Sequence, residues 1–140
     1  MKILVAVDGS AYTKRMLAYM AAHDEWLGDS HQYTLLHVVQ PIPARASPAV
    51  DKVSLAAYYA DTSQKIFKPL RTFFQRHGLK ADFVGKVGAV AEVVADTATK
   101  GRFDMLVMGS HGHGSLANLV MGSVATKVLA RCNTPVLLVR

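Results

Sequence analysis

The densest set of groups able to do chemistry lies in residues 104–128, DMLVMGSHGHGSLANLVMGSVATKV. An apolar run at residues 105–108 predicts a buried parallel strand. The loop after it is rich in Gly, Ser and His. A second pair, Gly122-Ser123, then opens a helical pattern with Met121, Val124, Ala125, Val128 and Leu129 as its apolar positions. Strand, glycine-rich loop and helix, in that order, aim backbone N–H groups and the positive end of a helix dipole at an anion. Glycines let the backbone take unusual angles and let a bulky ligand come close. Ser123 can cap the helix and offer its hydroxyl to a ligand oxygen. The stretch is therefore expected to cradle a phosphate; the alternative is a loop that only turns the chain.

Two familiar phosphate loops are excluded. No G-x-x-x-x-G-K-[ST] string occurs in the chain. Gly112-His113-Gly114 followed by Ala117 imitates a dinucleotide fingerprint, but it follows a late strand and not the first βα turn. His111 and His113 are the evident proton carriers of the loop. Spaced two apart in a loop, with no third ligand in view, they predict polar lining of a phosphate site and no metal centre. The loop holds no lysine, and no arginine finger or motif-placed Glu is in view to drive hydrolysis.

The elements that must position this loop follow from the apolar pattern. Residues 3–7 (ILVAV) predict a buried first strand that stops at Asp8-Gly9-Ser10. Ser10 is the expected N-cap of a helix reaching about Leu27, with Met16, Leu17, Met20, Ala21 and Leu27 on one face. Asp8 sits at a strand's carboxyl end, where its carboxylate either caps the next helix or accepts hydrogen bonds from ribose hydroxyls. Residues 33–39 (YTLLHVV) predict a second strand whose His37 is a hydrogen-bonded core residue. A Pro- and Ala-rich surface loop spans about 40–54, and a helix about 53–77, interrupted at Pro69 and stopped by Gly78. Residues 81–87 read as an edge strand. Next come a helix with Val90, Val93, Val94 and Thr97 on one face, closed by Gly101, and a final strand at 136–139. The alternation of strands and helices predicts an α/β fold, a parallel sheet with helices on both faces. Its switch point would lie between the first and fourth strands, bringing the Asp8 and Gly109 loops face to face.

Bulk properties agree. The 140 residues, 51% hydrophobic and 19% charged, suit one globular domain covering residues 1–140. No apolar run approaches the roughly 20 residues that span a bilayer, and the start is no signal peptide, so no membrane partner is expected. The single cysteine, Cys132, fits a reducing cytoplasm. The net charge of +6 is scattered, without a basic run or interleaved aromatics, so nucleic acid is not an expected partner.

The opening ILVAVDGS, the strand LLHVV, the segment DMLVMGSHG and the ending GSVATKVLARCNTPVLLVR together resemble the universal stress protein family over nearly the whole chain. The most specific likeness is to the signature G-x2-G-x9-G-[ST] of that family's ATP-binding branch, read here as Gly109, Gly112, Gly122 and Ser123. The resemblance implies an open five-stranded sheet in the order 3-2-1-4-5, Rossmann-like and akin to adenine nucleotide alpha hydrolases. It implies a ribose held by Asp8 and an adenine near the backbone of Val39. It also places phosphates among Gly109, Gly112, Gly122 and Ser123, with the Val124 amide assisting. His113 joins this set as polar lining. The ligand implied is ATP, with AMP or ADP open, and with Mg or Mn carried by the nucleotide. Between the second and third motif glycines, Ser115, Leu116, Ala117, Asn118, Leu119 and Val120 bring no cation where many family members carry one. A homodimer through the last strand is implied too, and an uncovered apolar edge there invites the same pairing. The function expected is a nucleotide-dependent regulatory or protective dimer of the stress response, acting on an unspecified protein partner. The alternative is a weak ATPase or a nucleotidyl- or phosphoryl-transfer enzyme.

Overall fold

A computed structural model describes residues 1–46, 49–114 and 118–140. Ser47 and Pro48, part of the expected surface loop, and Ser115, Leu116 and Ala117 of the cation-free stretch lie outside the described residues. The elements are β1 (Lys2–Ala6), α1 (Ala11–Ala21), β2 (Gln32–Val39), α2 (Lys52–Arg76), β3 (Ala81–Val87), α3 (Val90–Lys100), β4 (Met105–Gly109), α4 (Ser123–Arg131) and β5 (Val136–Val139). The strands form one parallel sheet in the order β3-β2-β1-β4-β5. The central strands are continuous runs of Ile, Leu, Val and Met because both faces of the sheet are covered.

Strand pleating divides the core in two. Ile3, Val5, Tyr33, Leu35 and Val107 face α1 and α2, packing on Met16, Met20, Phe67, Leu70 and Phe74. Leu4, Leu36, Val38, Leu106 and Met108 face the other way, onto Ala91, Val94, Ala98, Ala125 and Val128 of α3 and α4. Aromatic rings fill the first side and small side chains the second. The small-residue side is the one that leaves an opening at the carboxyl end of the strands.

Several local expectations are corrected. Helix α1 ends at Ala21 and not near Leu27. Trp26 and Leu27 still pack on the core, but from turns. The Tyr33 hydroxyl holds those turns, accepting the Gly28 N–H at 2.8 Å and donating to the Trp26 carbonyl at 2.9 Å. Helix α2 runs unbroken through Pro69. The buried face of α3 is Ala91, Val94, Ala95 and Ala98, with Val90, Val93 and Thr97 only partly covered. Leu129 of α4 is exposed, as is Ala21. The strand β3 is the edge strand expected, and His37 is the hydrogen-bonded core residue expected, its Nδ1 lying 2.9 Å from Ser63 Oγ.

Candidate functional site

The strands β1 and β4 are neighbours whose following helices leave from opposite faces of the sheet, so a crevice opens between the two loops at their carboxyl ends. The crevice is a cleft of about 450 Å3. Its polar end is formed by Asp8, Thr13, Ser110, His111, Gly112, His113, Gly114, Gly122 and Ser123. Its apolar wall is Leu36, Val38, Val90, Val94 and Ala125, with Gln40 at the rim. The size falls within the roughly 300–1,000 Å3 of small-molecule sites, and the division into an apolar wall and a polar end suits a ligand with a flat ring and an anionic tail.

The two loops touch as the topology predicts. His113 Nε2 lies 2.6 Å from the Asp8 carbonyl oxygen, which only accepts, so this nitrogen carries the proton. Of the two roles expected of Asp8, its local contacts serve the first, at the start of α1. Its Oδ1 accepts from the Ser10 N–H at 2.9 Å and from the Thr13 hydroxyl at 3.0 Å, while Thr13 Oγ1 accepts the Asp8 N–H at 3.1 Å. Its Oδ2 accepts no hydrogen bond among the described residues and points at Gly112, where an added Cβ would lie 2.8 Å away.

The motif glycines serve packing. Among the described residues positive φ occurs at Gly9, Gly78, Gly88 and Arg102, and at none of Gly109, Gly112 or Gly122, so unusual backbone angles are not their role. A Cβ at Gly109 would come within 2.8 Å of Tyr12 Cβ on α1. One at Gly122 would meet the Ser110 carbonyl oxygen at 3.0 Å. The close approach they permit is that of the protein's own chain, which draws the β4 loop against α1 and α4 against the loop.

At the start of α4 the N-cap is Gly122, and Ser123 is the first helical residue; no side chain caps this end. This corrects the capping role expected of Ser123. Ser10 does occupy the N-cap of α1, but its hydroxyl makes no cap bond and has no partner among the described residues. The Gly122 N–H donates to the Ser110 carbonyl at 2.7 Å and is closed to a ligand. The Thr126 N–H is the first to be taken up by the helix, donating to the Gly122 carbonyl at 3.0 Å. The N–H groups of Ser123, Val124 and Ala125 precede it and have no acceptor among the described residues, as the geometry of a helix start requires. All three residues line the cleft.

His111 is a structural strut. Its Nε2 donates to the Leu119 carbonyl at 2.8 Å, leaving Nδ1 to accept from the Ser110 hydroxyl at 2.8 Å. Ser110 is 2% exposed, so its hydroxyl is held inside the loop. Among the described residues no group of three or more His, Cys, Asp or Glu could hold a metal ion. No helix among them is long and apolar enough to cross a membrane.

Of the positions singled out in the sequence, Asp8, Gly109, Gly112, His113, Gly122, Ser123 and Val124 meet at the cleft. Val39 does not line it: its carbonyl accepts the Gly88 N–H at 3.0 Å, and the adjacent Val38 and Gln40 line it instead. Thr13, Leu36, Val38, Gln40, Val90 and Val94 were missed. The spacing of Thr13 from Asp8, one turn into the helix, was the signal available for the first of these.

Against known proteins, the chain is 28% identical over 142 residues to a universal stress protein of Thermus aquaticus, covering 99% of this chain and 97% of that one. It is 29% identical over 139 residues to one of Synechocystis sp., covering 99% of this chain but spanning only 42% of that longer protein. Among solved structures, a protein of Methanocaldococcus jannaschii superposes with a TM-score of 0.74 at 27% identity, over 99% of this chain and 94% of the other. A universal stress protein family protein of Arabidopsis thaliana, solved with AMP bound, gives 0.70 at 16% identity over 99% and 90%. The universal stress protein of Archaeoglobus fulgidus in complex with dAMP gives 0.64 at 21% over 100% and 98%. The fold seen here is shared with these neighbours, a model of the Universal stress protein family matches residues 1–140, and the chain belongs to that family.

Proposed function

We propose that the chain binds an adenine nucleotide in the β1–β4 cleft and works as a nucleotide-dependent regulatory or protective protein of the stress response. The observation that carries this is the uncapped start of α4: three free N–H groups and the Ser123 hydroxyl border a cleft whose opposite wall is apolar. In this reading the Ser123, Val124 and Ala125 amides hold a phosphate, with Gly109, Gly112 and Gly122 keeping the loop close enough to shape its seat. Asp8 Oδ2, free among the described residues, accepts from a ribose hydroxyl, and His113 fixes the Asp8 loop across the entrance. Val38, Val90 and Val94 flank the base near the β2 backbone at Val39. That relatives of this fold have been solved with AMP and dAMP supports the choice of an adenine nucleotide. ATP belongs to the same ligand class, and a Mg or Mn ion would be carried by its phosphates. A homodimer through the outer edge of β5 and a cytoplasmic setting complete the proposal; the open position of β5 at the end of the sheet and the unpaired Cys132 thiol support them.

The test is calorimetric titration with AMP, ADP and ATP, paired with thermal unfolding. A ligand of the native state must raise the unfolding midpoint. An unchanged midpoint and no heat at millimolar concentrations of all three would reject the proposal.

A further inference from the structure

Resting on the adenine-nucleotide reading of this cleft, we infer that the site selects a nucleoside bearing a single phosphoryl group and discriminates against the triphosphate. The cleft is lined by no lysine or arginine among the described residues. The sequence supplies none between Arg102 and Lys127, the undescribed 115–117 included. Among the described residues the carboxylate lining the cleft is that of Asp8, which adds negative charge. His111 cannot help, because both its ring nitrogens are engaged within the loop, and the His113 Nε2 proton is given to the Asp8 carbonyl.

What remains for a phosphate is one helix terminus, worth roughly half a positive charge, and a short set of donors. At the helix start those are the N–H groups of Ser123, Val124 and Ala125 and the Ser123 hydroxyl, since the Gly122 N–H is closed by Ser110; the loop N–H groups of Gly112, His113 and Gly114, which also line the cleft, are uncharged donors. The helix start can hold one tetrahedral group, and the loop amides bring no formal charge to offset a second. Each further phosphoryl group brings about one more negative charge, here with no cation to meet it and with Asp8 repelling it. Affinity therefore falls from AMP to ADP to ATP.

Gly114 allows the charge argument to be tested by addition. It lines the cleft, a Cβ there would meet nothing within 4 Å among the described residues, and its φ is not positive. Gly114→Arg thus brings a guanidinium to the polar end, with room for its Cβ among the described residues. Titrations in magnesium-free buffer with EDTA should show ATP binding the unaltered protein about tenfold or more weakly than AMP. The Gly114→Arg protein should narrow that ratio by about tenfold at an unchanged unfolding midpoint. ATP binding as tightly as AMP, or an unaltered AMP-to-ATP ratio in Gly114→Arg, overturns the inference while leaving the adenine-nucleotide reading in place. Failure of AMP, ADP and ATP alike to bind overturns that reading itself.

Discussion

The helices α1 and α4 begin alike, each at the carboxyl end of a central strand and each beside the same cleft, yet their starts are finished differently. The start of α1 carries its own anion: Asp8 Oδ1 accepts from the Ser10 N–H and from Thr13 in the first turn. Neither helix has a side-chain cap or an acidic residue in its first turn, but the start of α4, with a glycine N-cap, has no carboxylate hydrogen-bonded to it among the described residues. A helix terminus not met by the protein's own groups is met by water or by a ligand. The same structural event thus yields a start closed in charge by a carboxylate bound at its N-cap and an open start with no anion of its own. The carboxylate that closes the first lends its second oxygen to the cleft.

The sharpest way to break this contrast is to close the open end. Ser123→Asp places a carboxylate in the first turn of α4, on a residue that is exposed and lines the cleft. Nucleotide affinity should fall by about 100-fold, roughly 2.7 kcal/mol. Stability should hold or rise by about 0.3–1 kcal/mol, because the charge favours the helix dipole. Calorimetry and urea unfolding read the two effects separately. A loss of binding that tracks a loss of stability would mean that the terminus was never free.

Opening the closed end should act the other way round. Asp8→Ala removes the acceptor for both Ser10 and Thr13 and should cost about 1–2 kcal/mol of stability. Asp8→Asn keeps an oxygen at the Oδ1 position but turns the Oδ2 position into a donor. It should retain most of the stability while weakening nucleotide binding by about tenfold, near 1.4 kcal/mol. Equal stability losses in the two variants, measured by urea unfolding, would show that the carboxylate's charge and not its hydrogen bonds holds α1.

The contrast also marks what could be read in the residues alone. Strands announced themselves as apolar runs because a sheet covered on both faces demands them, and the spacing of Gly109, Gly112 and Gly122 located the cleft. What those glycines do was not legible, since it depends on Tyr12, Ser110 and Asp8 arriving from elsewhere in the chain. Capping was misread for Ser123 because a one-residue shift moves a side chain from cap to first turn. The end of α1 was misread because Trp26 and Leu27 keep a helical spacing while being held by the Tyr33 hydroxyl from β2. Val38 rather than Val39 lines the cleft because side chains alternate along β2, and only the sheet order reveals which parity faces α3 and α4.

The smallest effect concerns the ground beneath the closed end. His37 is buried on the α2 side of β2, and that burial holds its ring below the usual imidazole range; the Asp8 carboxylate pulls it back up and His113 pushes it down. The folded ring is therefore neutral near pH 7, whereas the unfolded ring takes up a proton around pH 6.5. Below that pH the unfolded chain binds more protons than the folded one, so stability falls with acidification until the folded ring titrates in turn. Urea midpoints should thus be flat above about pH 7 and decline from about 6.5 downward. His37→Gln, which can keep a hydrogen bond to Ser63 but cannot titrate, should flatten part of that decline. Asp8→Asn removes the charge that raises the ring's affinity for protons, so its decline should extend to lower pH than in the unaltered protein. A profile that Asp8→Asn leaves unmoved would mean that the carboxylate closing α1 is not felt across the strand, and would confine its influence to the two hydrogen bonds and the cleft.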